Sequence, residues 1–196
     1  MVRDLRASVI AVVVLTAVFG LAIPALFTGF AELAFPGHAN GSLIKVNGRV
    51  VGSRLAAQGF TRPQYFHERP SATAPPYNAG ATTFANLGPT NPDLAKAVRQ
   101  RAAAILKLER PYNPGLTIGD IPVDAVTTSG SGIDPDITPA YAQLQAPRVA
   151  AVRHLTLATV KRLIDDNTDG RSLGFFGEPG VNVLELNLAL NREQGR

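Results

Sequence analysis

Three short stretches and three histidines carry the residue types that could do chemistry. Residues 128–132 read Thr-Ser-Gly-Ser-Gly, and glycines there would let backbone N–H groups approach an anion. A phosphate loop would continue into Gly-Lys-Ser/Thr and a long helix, and neither follows. A nucleophile elbow needs Gly-x-Ser-x-Gly, and the first glycine is missing, so a turn is the better reading of Ser129 and Ser131. Asp134-Pro135-Asp136 offers two carboxylates without the further ligands of a calcium loop. His38, His67 and His154 lack zinc-site spacing, and with no cysteine there is neither thiolate chemistry nor a disulfide. Tyr65-Phe66-His67-Glu68-Arg69 mixes aromatic rings with charge, which suits a protein interface, while core packing explains Tyr65 and Phe66 equally well. No catalytic residues and no metal ligands are assigned. The competing reading is a membrane-anchored extracytoplasmic hydrolase using Ser129 or His67.

The composition narrows the setting. Charged residues are 17% of 196, hydrophobic ones 45%, and net charge is +4. That excludes disorder, and without runs of like charge or dense aromatics nucleic acid is not a partner. Ala7 to Ala31 holds no Asp, Glu, Lys or Arg. About 20 apolar residues at ~1.5 Å each cross a ~30 Å hydrocarbon core, so this stretch reads as a single membrane anchor in the lipid bilayer. It is too long for the apolar part of a signal peptide, and Gly20-Leu21-Ala22 is a poor cleavage site. Arg3 and Arg6 ahead of it favour a cytoplasmic N-terminus, with the bulk of the chain outside. Pro24 lies near the far end, where a kink costs least. Ala11, Gly20, Ala25 and Gly29 would permit close helix approach.

The elements beyond the anchor follow from turn and cap signals. Phe35 to Ser42 is turn-rich. Asn47-Gly48 between two β-rich runs predicts a hairpin of 43–46 with 49–52. From Thr61 to Pro92, six prolines and no sustained period predict a long loop, rich in rings and arginine and therefore pinned rather than disordered. Asn91-Pro92-Asp93 predicts an N-capped helix to about Leu108. Residues 122–128 suggest a short strand, Thr138-Pro139 a short helix broken before Pro147, and Thr156 to Asp166 a further helix. Leu184, Leu186, Leu188 and Leu190 recur at period two, which predicts a strand over 181–190. The fold class is α+β: a single N-terminal transmembrane helix followed by one mixed α/β extracytoplasmic domain. The segments are 1–6 cytoplasmic, 7–31 anchor, 32–42 exit linker and 43–196 domain.

One family shows these oddments in the same order. The chain reads Ala39-Asn-Gly-Ser-Leu-Ile44, Tyr65-Phe-His-x-Arg-Pro-Ser-Ala72, Tyr77-Asn78, Asn86-Leu-Gly-Pro-Thr-Asn-Pro92, Ser129-Gly-Ser-Gly-Ile-Asp-Pro135, Gln145-x-Pro-Arg-Val-Ala150 and Gly177-Glu-Pro-x-Val-Asn-Val-Leu184. It thereby resembles, along its whole length, the C subunit of the Kdp-type high-affinity potassium-transporting ATPase. It departs at Glu68, where the family usually has Gly, at Asp136 for His, at Gly180 for Arg, and over Ala81 to Ala85. The resemblance implies a non-hydrolytic subunit in a bacterial or archaeal cell membrane. Its partners would be a potassium-channel-like subunit, a P-type ATPase catalytic subunit and a small hydrophobic subunit, with potassium as the transported ion. It further implies a catalytic chaperone that raises the ATP affinity of the ATPase subunit, and Gln145 as a nucleotide contact. We add Arg148, whose guanidinium suits phosphate. Tyr65, Phe66, His67, Arg69, Asn86, Asn91, Ser129, Ser131, Asp134, Glu178 and Asn182 become partner-contact candidates. Topology conflicts with direct nucleotide binding, because Gln145 would lie across the membrane from cytosolic ATP.

Overall fold

The computed structural model describes residues 2–195, and the chain divides into two compact units between Val51 and Gly52. In the first, α1 (Val2–Leu15), a π-helical stretch (Thr16–Ala22) and α2 (Ile23–Ala34) run on as one 33-residue helix. None of its side chains is buried. At ~1.5 Å per residue it exceeds the hydrocarbon core. The π stretch ends just before Pro24. Proline lacks an N–H and crowds the carbonyl of Gly20, and a wider turn there relieves both conflicts. The expected exit linker is largely helical: residues 32–34 finish α2, and α3 (Pro36–Ala39) adds one turn. Then β1 (Leu43–Val46) and β2 (Arg49–Ser53) form the expected hairpin. Asn47 and Gly48, with φ of 50° and 76°, supply its turn.

Beyond β2 the second unit runs through a long stretch free of regular elements and then enters α4 (Pro92–Glu109), where the Asn91 side chain accepts a hydrogen bond from the Asp93 N–H at 2.8 Å. The strand expected at 122–128 is instead one helical turn, α5 (Val123–Val126). Ala125 and Val126 are both buried whereas Val123 is exposed, so the apolar pattern there is not period two. Its Asp124 carboxylate accepts from both the N–H and hydroxyl of Thr138, joining this turn to the start of α6 (Pro139–Arg153).

The helix α6 is not short, and Pro147 does not break it. Pro147 and Gln143, whose carbonyl loses its partner, share the less buried side, so the missing bond falls near solvent. The rest of the helix is buried deeply enough to hold its course. It ends at His154 in a left-handed conformation, φ 57°, and α7 (Leu157–Asp166) follows from its Thr156 cap as expected.

The largest correction lies at the end of the chain. Residues 181–190 are not a strand: β5 (Gly180–Asn182) gives way to α8 (Val183–Gln194). Asn182 caps that helix by accepting from the Glu185 N–H at 3.2 Å. Asn-x-x-Glu is an N-terminus signal that the leucine alternation concealed. Leu186, Leu190 and Val183 are fully buried and Leu188 only partly so, which fits a helix packed on one broad face.

Among the described residues, β3 (Asp136–Ile137) and β4 (Thr168–Asp169) flank β5 antiparallel, with Ile137 and Thr168 both opposite Val181. Phe66, Ile137, Val149, Val160, Ile164, Val181, Leu186 and Leu190 form the core between this small sheet and α6, α7 and α8.

Candidate functional site

The loop expected to be pinned over 61–92 is held at residues 63–67, whereas 81–90 are exposed. The backbone hydrogen bonds of 63–67 go to side chains of the helices beneath them. Phe66 donates its N–H to Asn187 Oδ1 at 2.9 Å and accepts from Asn187 Nδ2 at 3.0 Å. His67 does the same with Gln145, at 2.8 Å and 3.0 Å. Arg148 donates to the carbonyls of Pro63 and Tyr65, to Gln145 Oε1 and to Glu109 Oε1. Arg153 donates to the Gln64 carbonyl and to the side chains of Asn191 and Gln194, and its guanidinium lies 4.9 Å over the Tyr65 ring. Residues 62–69 are thus inlaid on α6 and α8.

Burial sorts the candidates. Phe66 is 0% exposed, so it belongs to the core. Gln145 and Arg148, at 1% and 0%, lie under the loop. Arg148 and Glu109 form a buried ion pair at 2.9 Å. Burial pushes the Glu109 carboxyl above its ordinary range, and Arg148 opposes that shift. Glu109 Oε2 is buried without a hydrogen-bond partner.

His67 lies half-buried above this pair, with its ring Nε2 3.1 Å from the Arg62 carbonyl. Burial, reinforced by the nearby Arg148 charge, lowers its pKa to about 4. Between about 4 and the ordinary 6.5 the unfolded chain therefore binds more protons, and stability falls as pH drops through that window. We expect a melting temperature measured at pH 4 to fall further from its pH 7.5 value than in a His67→Gln variant, by roughly 5 °C. Equal falls would show that His67 carries none of the acid sensitivity.

Of the remaining candidates, Asn86 and Ser129 line one open groove and Arg69, Asp134 and Glu178 another, while Asn91, Ser131 and Asn182 line neither. Phe84, Asn86, Leu87, Leu94 and the Thr127–Gly130 stretch line the first, of about 380 Å³. Ser129 is buried there and its hydroxyl accepts from the Gly132 N–H at 2.9 Å, the bond of a tight turn. Ser131 accepts from the Ile133 N–H through its hydroxyl and from the Thr83 N–H through its carbonyl. Gly132 must be glycine: φ is +75°, and a Cβ would meet Thr73 Cγ2 at 2.7 Å. Arg69, Asp134, Asp136 and Glu178 line the second groove, of about 230 Å³, where Arg69 pairs with Asp134 at 2.9 Å. Asn182 is buried beside it and donates to Asp136 Oδ1 and to the Arg54 carbonyl. Asn91 is the α4 cap. Ser129 and His67 each have a local partner, and among the described residues no hydrogen bond joins them into a catalytic pair. Among the described residues, no group of three or more His, Cys, Asp or Glu side chains could hold a metal ion.

Known protein sequences match this chain over nearly its full length. The family model described as KdpC: K+-transporting ATPase, c chain, covers residues 5–192. The chain belongs to the KdpC family. The potassium-transporting ATPase KdpC subunit of Burkholderia vietnamiensis is 51% identical over 196 residues, which spans 97% of this chain and 97% of that protein. The subunit so named in Beijerinckia indica is 49% identical over 191 residues (97% and 94%), and that of Methylococcus capsulatus 49% over 192 (97% and 98%). KdpC is thus a subunit of a potassium-transporting ATPase, and the apolar Val2–Ala34 helix is compatible with its membrane anchoring.

Two departures from the expected KdpC motifs meet in space. A Cβ on Gly180 would lie 3.4 Å from Asp136 Cβ, in van der Waals contact with it. Glu68, the third, is buried and accepts from the N–H groups of Gln58 and Phe60, both at 3.1 Å. Burial raises its pKa, and those N–H groups oppose the shift. Asn187, Glu109 and Arg153 are the members of this framework that the motifs did not mark. The available signal was a polar residue inside an otherwise apolar run, as at Asn187.

Proposed function

We propose that this chain is a non-hydrolytic accessory subunit of an ATP-driven potassium uptake complex. Its anchor packs against the spans of partner subunits, with Arg3 and Arg6 on the cytoplasmic side. Its 52–196 unit lies outside, caps the mouth of the potassium pathway in a channel-like subunit, and steadies the assembly. ATP is held by the P-type ATPase subunit, and this chain raises that subunit's affinity for it through the assembled complex.

The observation that carries this reading is the inward commitment of Gln145 and Arg148. Both are almost wholly buried, and both spend their hydrogen bonds on residues 63–67 and Glu109. A nucleotide at this position would have to displace that segment from the core, so these side chains do not fit a nucleotide site. An effect on ATP affinity then has to travel through subunit contacts, which also removes the conflict between an external domain and cytosolic ATP.

Topology is the first test. A phosphatase reporter fused after the last residue is expected to be active, and a fluorescent reporter that folds only in the cytoplasm to be dark. The reverse pattern would overturn the capping role.

A further inference from the structure

We infer that the loop from Arg171 to Glu178 is a second membrane contact, whose apolar tip of Leu173, Phe175 and Phe176 dips into the interfacial layer of the bilayer that the Val2–Ala34 helix crosses; this rests on the anchoring part of the reading above. Exposure is the first observation. Leu173, Phe175 and Phe176 are 84%, 64% and 58% exposed, in the short connection between β4 and β5. Phe175 is as open as Phe19 and Phe27 of the apolar helix, at 64% each. The rings of Phe175 and Phe176 lie 4.1 Å apart between centroids, so they form one patch. Scattered apolar side chains on a surface need no explanation, whereas a contiguous patch marks a contact.

The loop is built to hold that patch out. Ser172 donates its N–H to the Phe176 carbonyl at 2.8 Å and accepts from the Phe176 N–H at 2.9 Å. Arg171 Nη2 donates to both carboxylate oxygens of Glu178, at 2.9 Å and 2.8 Å, and closes the neck. At the tip Leu173 and Gly174 have φ of 54° and 82°, close to the 50° and 76° of Asn47 and Gly48. Asparagine tolerates this left-handed region, and leucine is strained in it. A turn that had only to reverse the chain would take Asn-Gly, as residues 47–48 do. Leucine at 173 therefore costs the fold something, and at 84% exposure it has almost no packing to offset that cost.

Lipid fits this tip better than a protein surface does. Even wholly covered, three side chains of at most about 250 Å² each fall short of the ~800 Å² that each partner of a standard interface buries. A bilayer needs less, because the chain is already tied to it. Only α3 and the β1–β2 hairpin lie between Ala34 and Gly52 in sequence. Such a tether makes insertion an intramolecular step, so a weak contact is still populated. The charge pattern agrees. Arg171 is the sole charged residue from Gly170 to Gly177, and its pair with Glu178 is open to solvent. A cation there meets headgroup phosphates while the rings reach the acyl boundary.

The chain has no Trp, so one introduced indole reports its own surroundings. Phe175→Trp and, separately, Phe19→Trp are made in the full chain and reconstituted in phosphatidylcholine vesicles with bromine at shallow or deep acyl positions. The indole at 175 is expected to lose roughly half its emission or more to shallow bromine, as a ring ~5–10 Å into the interface would. The indole at 19 is expected to be quenched by deep bromine. Adding Leu173→Asn and Phe176→Ser to Phe175→Trp should cut the shallow quenching roughly threefold or more. The melting temperature should stay within about 3 °C, since both replaced side chains are exposed. Quenching at 19 with none at 175 would overturn the inference. So would quenching at 175 that survives the two added substitutions, because the contact would then lie elsewhere on the unit. An indole at 175 that is shielded from aqueous iodide but untouched by bromine would put a protein on the tip instead of lipid. No quenching at 19 would sink the anchor itself, and the second contact with it.

Discussion

Replacing Arg148 with methionine is expected to lower the melting temperature by roughly 10 °C, the largest effect of any single polar substitution here. Arg148 is fully buried, and its loss strands the Glu109 carboxylate and unpairs the carbonyls of Pro63 and Tyr65. Removing one partner of such a pair typically costs about 3–5 kcal/mol, because the other charge stays buried alone. Replacing both partners by apolar residues of similar volume often costs little. Arg148→Met with Glu109→Met should therefore recover a large part of the loss, although the loop carbonyls remain unpaired. Circular dichroism of the detergent-solubilised chain measures both. A double variant as unstable as the single one would place the cost in the loop carbonyls instead of the stranded charge.

The second large effect concerns the end of the chain. Leu186→Ala and Leu190→Ala are each expected to destabilise by about 2–5 kcal/mol, and Leu188→Ala by clearly less. Leu186 and Leu190 are fully buried in the core, whereas Leu188 is partly exposed. A strand over 181–190 would bury all of them on one face and make the three costs alike. Denaturant unfolding of the three variants separates helix from strand, and equal losses would contradict α8.

The contrast between α7 and α8 shows where sequence was informative. Thr156 caps α7, its apolar residues recur at helical spacing, and packing agrees with both signals. In α8 the leucines at 184, 186, 188 and 190 mimic a half-buried strand because Asn187 and Ala189, buried between them, do not read as an apolar face. Their burial is set by neighbours, Phe66 above all, that lie far away in sequence. Pro147 misled for a related reason: proline costs a helix most where the freed carbonyl is buried, and exposure of Gln143 is not written in local sequence. The hairpin at Asn47-Gly48 and the cap at Asn91 were legible because those residues act on their immediate neighbours. The motifs around Gln145 and residues 65–72 named two segments that the fold brings into contact. They did not reveal that the two touch, or that Asn187 and Glu109 complete the contact. Such partners are linked only by the fold.

The apolar Val2–Ala34 helix and the chain's place in the KdpC family point to a protein that acts within an assembly. The most direct measurement of that claim is affinity purification of the tagged full chain from potassium-starved cells in mild detergent. We expect a P-type ATPase subunit and a potassium-channel-like subunit to be recovered with it in constant ratio, and the ATP affinity of the ATPase to fall when this chain is stripped away. Recovery of the chain alone, or an ATP affinity indifferent to its removal, would overturn the accessory role.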